Sequence, residues 1–194
     1  GKCIMPSEGL FGRVLRGGTI RPGDPVDFAP RSLELRVITL SDRAYRGTYQ
    51  DRSGPRAAEL LQAHLSGKRW HPRLDTTLLP DDADALRQAL ADCRREGVDV
   101  VVTTGGTGVG PRDITPETAA SCCDKLIPGI MEAIRMKSAA ANPHALLSRG
   151  VAGTAGSMLI LTLPGSVRAV DEYLAEITRI LDHLLLTLHG VDAH

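Results

Sequence analysis

The sequence predicts an α/β fold: a three-layer, doubly wound, mostly parallel sheet with helices on both faces, plus a short N-terminal β-hairpin segment. Three observations predict it. From Leu33 onward, short apolar runs rich in β-branched residues alternate with stretches of helical spacing, the pattern of a parallel sheet with right-handed crossovers. The run VDVVVTT (Val98–Thr104) has the continuous apolar core of a strand covered on both faces. The segment VRAVDEYLAEITRILDHLLLTL (Val167–Leu188) reads as a long amphipathic helix whose role is core packing.

The elements follow in order. GLFGRVLRGGTIRPGDPVDF (Gly9–Phe28) reads as strand, turn, strand, turn and strand start, broken at Gly17-Gly18 and Pro22-Gly23-Asp24. A hairpin of this size holds no core alone. It either packs on the rest of the chain or ends a truncated domain, with Ala29–Ser32 as linker. LELRVITL (Leu33–Leu40) is the next strand. SGPRAAELLQAHL (Ser53–Leu65) is a helix, with Ser53 as N-cap, Pro55 in the first turn and Gly67 past the end. RLDTTLLP (Arg73–Pro80) is a strand, and Asp82–Gly97 sets Ala85, Leu86, Ala89, Leu90 and Cys93 at helical spacing. After Val98–Thr104, two helices are expected near Thr115–Leu126 and Pro128–Ala141, then a buried strand at MLILTLP (Met158–Pro164). No internal repeat or low-complexity segment interrupts the pattern.

Composition narrows the function classes. With 194 residues the chain can build one full core plus an appendage. A net charge of zero argues against a nucleic-acid footprint or a membrane-surface helix. Aromatics at 3% argue against base-stacking platforms. No apolar run is long enough to span a bilayer, and no signal peptide is visible. Gly1 in the first position suggests a trimmed chain. Cys3, Cys93, Cys122 and Cys123 match no zinc spacing and read as inert thiols of a reducing, cytoplasmic compartment.

In doubly wound sheets ligands sit beyond the carboxyl ends of the strands. That directs attention to Ser41-Asp42, to Pro80-Asp81-Asp82, to the glycine loop Thr103–Gly108 and to Pro164-Gly165-Ser166. The glycines of the loop let backbone amides approach an anion closely. Glycine loops also serve as plain strand-to-helix connections, and this one matches neither a Walker loop nor a dinucleotide fingerprint. Arg112 can pair with phosphate oxygens. Asp113 can hold Mg²⁺, and Asp81 at the neighbouring strand end can share the same metal region. The alternative for Asp113 is an N-cap, although Thr115 fits that cap better. Asp81 and Asp82 can likewise be caps, and Asp42 and Asp51 loop or cap residues. Ser148 in HALLSRG has no His and Asp partners that would mark a nucleophile, and the six histidines are scattered.

The segments LSDRAYRGTYQDRSGP, LLPDD, TTGGTGVGPRDITPE, PGIMEAIR, ALLSRGVAG and LILTLPGS occur in the order seen in the molybdenum cofactor biosynthesis family. From about Leu35 to about Gly190 the chain resembles the molybdopterin adenylyltransferases, with the Mog and MoaB proteins and the G domains of gephyrin. The resemblance implies a molybdopterin-binding domain over residues 31–194. It implies Mg²⁺-dependent transfer of AMP from ATP to the terminal phosphate of molybdopterin, with release of pyrophosphate. The alternative within the resemblance is a non-catalytic molybdopterin-binding or scaffold protein of the MoaB type.

By the same resemblance, Asp81 and Asp113 are the catalytic, metal-binding aspartates. Thr104, Gly105, Gly106, Thr107 and Gly108 form the phosphate loop. Ser41 and Asp42 line the pocket, and Ser148 contacts molybdopterin. Pro164 and Gly165 form the turn after the last strand. That turn departs from the family's usual Pro-Gly-Asn-Pro, reading Pro164-Gly165-Ser166-Val167. A homotrimer, in some members paired into a hexamer, and a molybdate-inserting partner protein are also implied. Residues 1–30, through CIMPSEGLFGRVLRGGTIRPGD, resemble the C-terminal end of a MOSC domain, too short for MOSC function.

Overall fold

The computed structural model describes residues 17–25, 32–68 and 70–190. Most of the expected N-terminal hairpin, its linker and the MOSC-like stretch lie outside the described residues. Residues 17–25 carry no strand, but Pro22-Gly23 does turn the chain. There Asp24 N–H donates to the Arg21 carbonyl at 3.1 Å, and Gly23 supplies the φ of +93°.

Among the described residues the strands are β1 (Ser32–Leu40), β2 (His71–Leu79), β3 (Val100–Thr104), β4 (Lys125–Leu126), β5 (Ala152–Ala155) and β6 (Met158–Leu163). They form one sheet in the order β2-β1-β3-β6-β5-β4. The first four in that order run parallel, and β5 and β4 add an antiparallel edge. The helices are α1 (Asp42–Tyr45), α2 (Ser53–Leu65), α3 (Ala83–Glu96), α4 (Thr115–Ser121), α5 (Pro128–Ala139) and α6 (Val167–Leu188), with a 3₁₀ turn at Pro143–Leu147.

Strand alternation builds three layers. Leu35 and Val37 of β1, Val100 and Val102 of β3, and Leu159 and Leu161 of β6 point to one face. Leu61, Met131 and Ile177 of α2, α5 and α6 cover that face. Ile38, Val101 and Ile160 point to the other, under Leu86 and Leu90 of α3 and Ala119 of α4. The predicted doubly wound sheet is therefore observed.

Three local expectations are corrected. Ser53 is the first residue of α2 rather than its cap. Asp51 Oδ1 takes the free amides of Ser53 and Gly54 at 3.0 and 3.1 Å, while the Ser53 hydroxyl is buried against Thr104. The helix expected over Thr115–Leu126 stops at Ser121, because Asp124 N–H bonds to the Thr154 carbonyl at 2.7 Å and draws the chain into the sheet edge. Neither β4 nor β5 was expected. β4 has two residues, and AGTA lacks the bulky side chains that signal a strand.

The register levels the strand ends. Leu40 lies beside Leu79, Thr39 beside Thr104, and Thr104 beside Leu163. Pairing continues one residue further: Ser41 N–H donates to Leu79 O and Gly105 N–H to Leu163 O, both at 3.0 Å. All four singled-out loops therefore leave from one edge. The chain leaving β1 returns in β2 on one side of it, whereas the chain leaving β3 passes to the other side, so the crevice opens between them.

Gly105 makes this geometry possible. Its φ is +99°, and a Cβ there would lie 2.3 Å from the Leu40 carbonyl oxygen. Gly97, the left-handed C-cap of α3, has φ +76° and open space around it. In urea denaturation Gly97→Ala should therefore cost about 1 kcal/mol from backbone strain alone. Gly105→Ala should cost at least about 3 kcal/mol, because strain and collision add. Equal losses would show that the collision at Leu40 is relieved without consequence.

Candidate active site

Two cavities open at this edge and share a wall. The first, of about 560 Å³, is lined by Ser41, Asp42, Arg43, Tyr49, Asp81 and Arg112 among others. The second, of about 410 Å³, is lined by Gly105, Thr107, Gly108, Ser148, Pro164 and Tyr173 among others. Gly106, Asp113, Gly165 and Ser166 belong to both. Asp113 thus stands where ligands in the two cavities would meet.

Asp113 is cradled by its own loop. Its Oδ2 accepts the Gly110 N–H at 2.8 Å, and a Cβ at Gly108 or Gly110 would lie 2.8 or 2.9 Å from that oxygen. Neither Asp113 nor Thr115 caps α4. The Ile114 cap makes no side-chain bond, and the Thr115 hydroxyl donates to Gly105 O at 2.9 Å. Arg149 holds the other side of the loop. Its N–H, Nε and Nη2 donate to the carbonyls of Thr107 (2.9 Å), Gly108 (2.6 Å) and Asp113 (2.7 Å). Its Nη1 pairs with Glu117, whose carboxyl is drawn below the ordinary glutamate range by that bond.

Asp42 and Asp81 brace each other across the ends of β1 and β2. Asp42 N–H donates to Asp81 Oδ2, and Asp81 N–H to Asp42 Oδ1, both at 3.0 Å. Arg112 Nη2 forms an ion pair with Asp42 and lies 3.5 Å from Asp81, so its guanidinium reaches into the acidic group. Asp82, not Asp81, caps α3 through the Ala85 N–H at 2.8 Å. Burial first, and then the negative charge of Asp113, push the Asp81 carboxyl above the ordinary aspartate range, with Arg43 opposing. Asp81 and Asp113 both line the first cavity.

The donor set suits one metal class. Among the described residues no group of three or more His, Cys, Asp or Glu side chains could hold a metal by itself. Two carboxylates facing a common cavity fit Mg²⁺, which completes its shell with water and substrate phosphates.

The candidate residues separate by position. Ser41, Asp42, Asp81 and Arg112 line the first cavity, Gly105, Thr107, Gly108, Ser148 and Pro164 the second, and Gly106, Asp113 and Gly165 both. Thr104 lines neither. It is fully buried, with its hydroxyl 3.0 Å from Ser53 Oγ and donating to Thr39 Oγ1 at 3.3 Å. Thr39 in turn donates to Asp51 Oδ2 at 2.7 Å. The Thr104 side chain therefore braces the floor of the site. Arg149 and Tyr173 were not among the candidates. Arg149 adjoins Ser148 in sequence, but nothing in the motif tells that its guanidinium folds back onto the loop.

The sign of the Asp81 shift sets a test. A carboxyl whose folded pKa is raised binds its proton more tightly in the native state. Its contribution to stability is complete below the unfolded value and is lost as pH rises through the folded one. In ¹³C NMR titration, Asp81 should titrate above its ordinary value of 3.8. Asp113→Asn should lower that midpoint, burial alone remaining. An unchanged midpoint would show that the two carboxylates do not share a site.

The probable molybdopterin binding domain model matches residues 36–183. The molybdopterin adenylyltransferase of Helicobacter pylori J99 is 38% identical over 146 residues, covering 74% of this chain and 81% of that protein. The molybdenum cofactor synthesis protein cinnamon of Drosophila melanogaster is 36% identical over 153 residues, 78% of this chain. Only 25% of the Drosophila protein is spanned. The structure of the molybdopterin biosynthesis Mog protein from Mycobacterium ulcerans superposes with a TM-score of 0.73 at 36% identity, covering 81% of this chain and 99% of that one. The glycine loop, the strand-end aspartates and these matches together place the chain in the molybdopterin-binding domain family of molybdenum cofactor biosynthesis.

Proposed function

We propose that the protein transfers AMP from ATP to the terminal phosphate of molybdopterin and releases pyrophosphate. The observation that carries this reading is the shared wall: Gly106 and Asp113 border both cavities, so two substrates can meet there. ATP takes the cavity of Asp42 and Asp81, and molybdopterin the cavity of Ser148. An anionic oxygen of the pterin phosphate attacks the α-phosphorus of ATP. The bond from that phosphorus to the oxygen bridging to the β-phosphorus breaks, and pyrophosphate leaves with the electron pair. The attacking oxygen carries no proton, so the step needs positioning and charge neutralisation rather than a general base.

Asp81 and Asp113 would hold Mg²⁺, which when bound supplies neutralising charge to the phosphates. Arg112 would move from its carboxylate partners to phosphate oxygens. The name of the Helicobacter pylori relative, molybdopterin adenylyltransferase, supports the same reaction.

The product would pass to a molybdate-inserting partner. The resemblance implies a homotrimer, in some members paired into a hexamer, and an apolar groove of about 550 Å³ between α5 and α6, lined by Ile127, Ile130 and Ile180 among others, would offer such an assembly a contact face. The family match starts at residue 36, which supports a domain boundary near residue 30; the MOSC-like reading of residues 1–30 stands on their sequence resemblance alone. Burial pushes the Cys93 thiol up and the Cys123 thiol to about 11, which supports inert thiols at these two positions.

Incubation with ATP, Mg²⁺ and molybdopterin should yield adenylated molybdopterin and an equal amount of pyrophosphate. Asp113→Asn should lower turnover by about 10²-fold or more while molybdopterin still binds. A folded wild-type protein that binds molybdopterin but forms no adenylated product would instead be a scaffold.

A further inference from the structure

We infer that Tyr173 is a positioning residue that fixes the Ser148 hydroxyl as a hydrogen-bond donor into the second cavity. The inference rests on the reading that molybdopterin occupies that cavity. Tyr173 lies on α6 at 2% exposure, with its ring packed in the core. Its hydroxyl nonetheless reaches the cavity wall, where it donates to Ser148 Oγ at 3.1 Å.

The direction of this bond follows from chemistry. A phenol is a stronger acid than an aliphatic alcohol, so it is the better donor of the pair. Burial fixes the ring, and with it the point from which the proton is offered. The serine oxygen has two lone pairs and one hydrogen. Tyr173 occupies one lone pair, which turns the serine hydrogen away from the helix. Among the described residues no acceptor takes that hydrogen, and Ser148 lines the cavity. A ligand atom that meets Ser148 is therefore an acceptor: a phosphate oxygen, a carbonyl oxygen or an unprotonated ring nitrogen.

Both partners are held from behind. Ser148 N–H donates to Ala145 O at 3.2 Å, closing the 3₁₀ turn, and the next residue, Arg149, is tied to the glycine loop. Without the tyrosine hydroxyl, the Ser148 side chain can rotate and present a lone pair to the ligand instead. The effect belongs to the pterin side of the site. Tyr173 borders the second cavity and not the one assigned to ATP.

The test is molybdopterin binding to the full chain without ATP, in the wild type, Tyr173→Phe, Ser148→Ala and the double variant. Tyr173→Phe removes one oxygen and keeps the ring. It should weaken binding roughly two- to twelve-fold. Ser148→Ala should weaken binding as well, and the double variant should bind no worse than Ser148→Ala. In turnover, KM for molybdopterin should rise in Tyr173→Phe while KM for ATP stays unchanged, a split that a general loosening of the fold does not produce.

Wild-type binding that Tyr173→Phe leaves unchanged, or losses that add in the double variant, would overturn the inference alone. Absence of molybdopterin binding by the wild type would overturn it together with the reading beneath it. If Tyr173→Phe fails to fold, Ser148→Ala still decides, since unchanged binding in that variant removes the donor on which the inference depends.

Discussion

Gly105 leaves β3 with φ +99° and passes so close to β1 that a methyl group would sit 2.3 Å from the Leu40 carbonyl oxygen. Only a residue without a Cβ lets the chain turn there, directly after the buried end of β3. Gly165, leaving β6, packs against the same residue, where an added Cβ would lie 3.2 Å from the Gly105 Cα. The three central parallel strands thus release their loops within van der Waals distance of one another. Gly106, next to Gly105, and Gly165 belong to the wall that the two cavities share.

Polar bonds then fix what the close approach brings together. Thr39 and Thr104, at the ends of β1 and β3, join Ser53 and Asp51 in a chain of hydroxyl and carboxylate contacts beneath the site. Each buried hydroxyl has a partner in this network, so the floor is rigid rather than strained by unpaired groups. Arg149 does the same for the outer arm of the loop, replacing solvent at three carbonyls with one planar guanidinium and its own amide. Asp113 is held from both sides, with its carboxylate on the Gly110 amide and its carbonyl on Arg149. Burial first, and then the charge of the Asp113 carboxylate fixed in this loop, raise Asp81.

The strands and long helices were legible because burial on both faces writes continuous apolar runs, as in Val100–Thr104, and helix packing writes spacing, as in Leu86, Leu90 and Cys93. The strand-end rule then located Asp81 and the glycine loop without side-chain detail. Small or short elements were not legible. AGTA of β5 is held by its neighbours rather than by its own propensity. The cap of α2 was misassigned because Asp51 and Ser53 both suit the role, and only the buried contact of Ser53 with Thr104 decides between them. Thr104 is assigned to the phosphate loop by its place in the motif, although it is the last residue of β3, a strand buried on both faces. Arg149 and Tyr173 act across 41 and 25 residues of sequence, distances at which no local pattern operates.

The central claim is that Asp81 and Asp113 face one site and hold one divalent cation there with the nucleotide phosphates. Anomalous diffraction from crystals grown with Mn²⁺ and a non-hydrolysable ATP analogue tests it most directly. The account predicts an anomalous peak ligated by carboxylate oxygens of both Asp81 and Asp113 and by phosphate oxygens. Nucleotide bound with its manganese away from both carboxylates would contradict it.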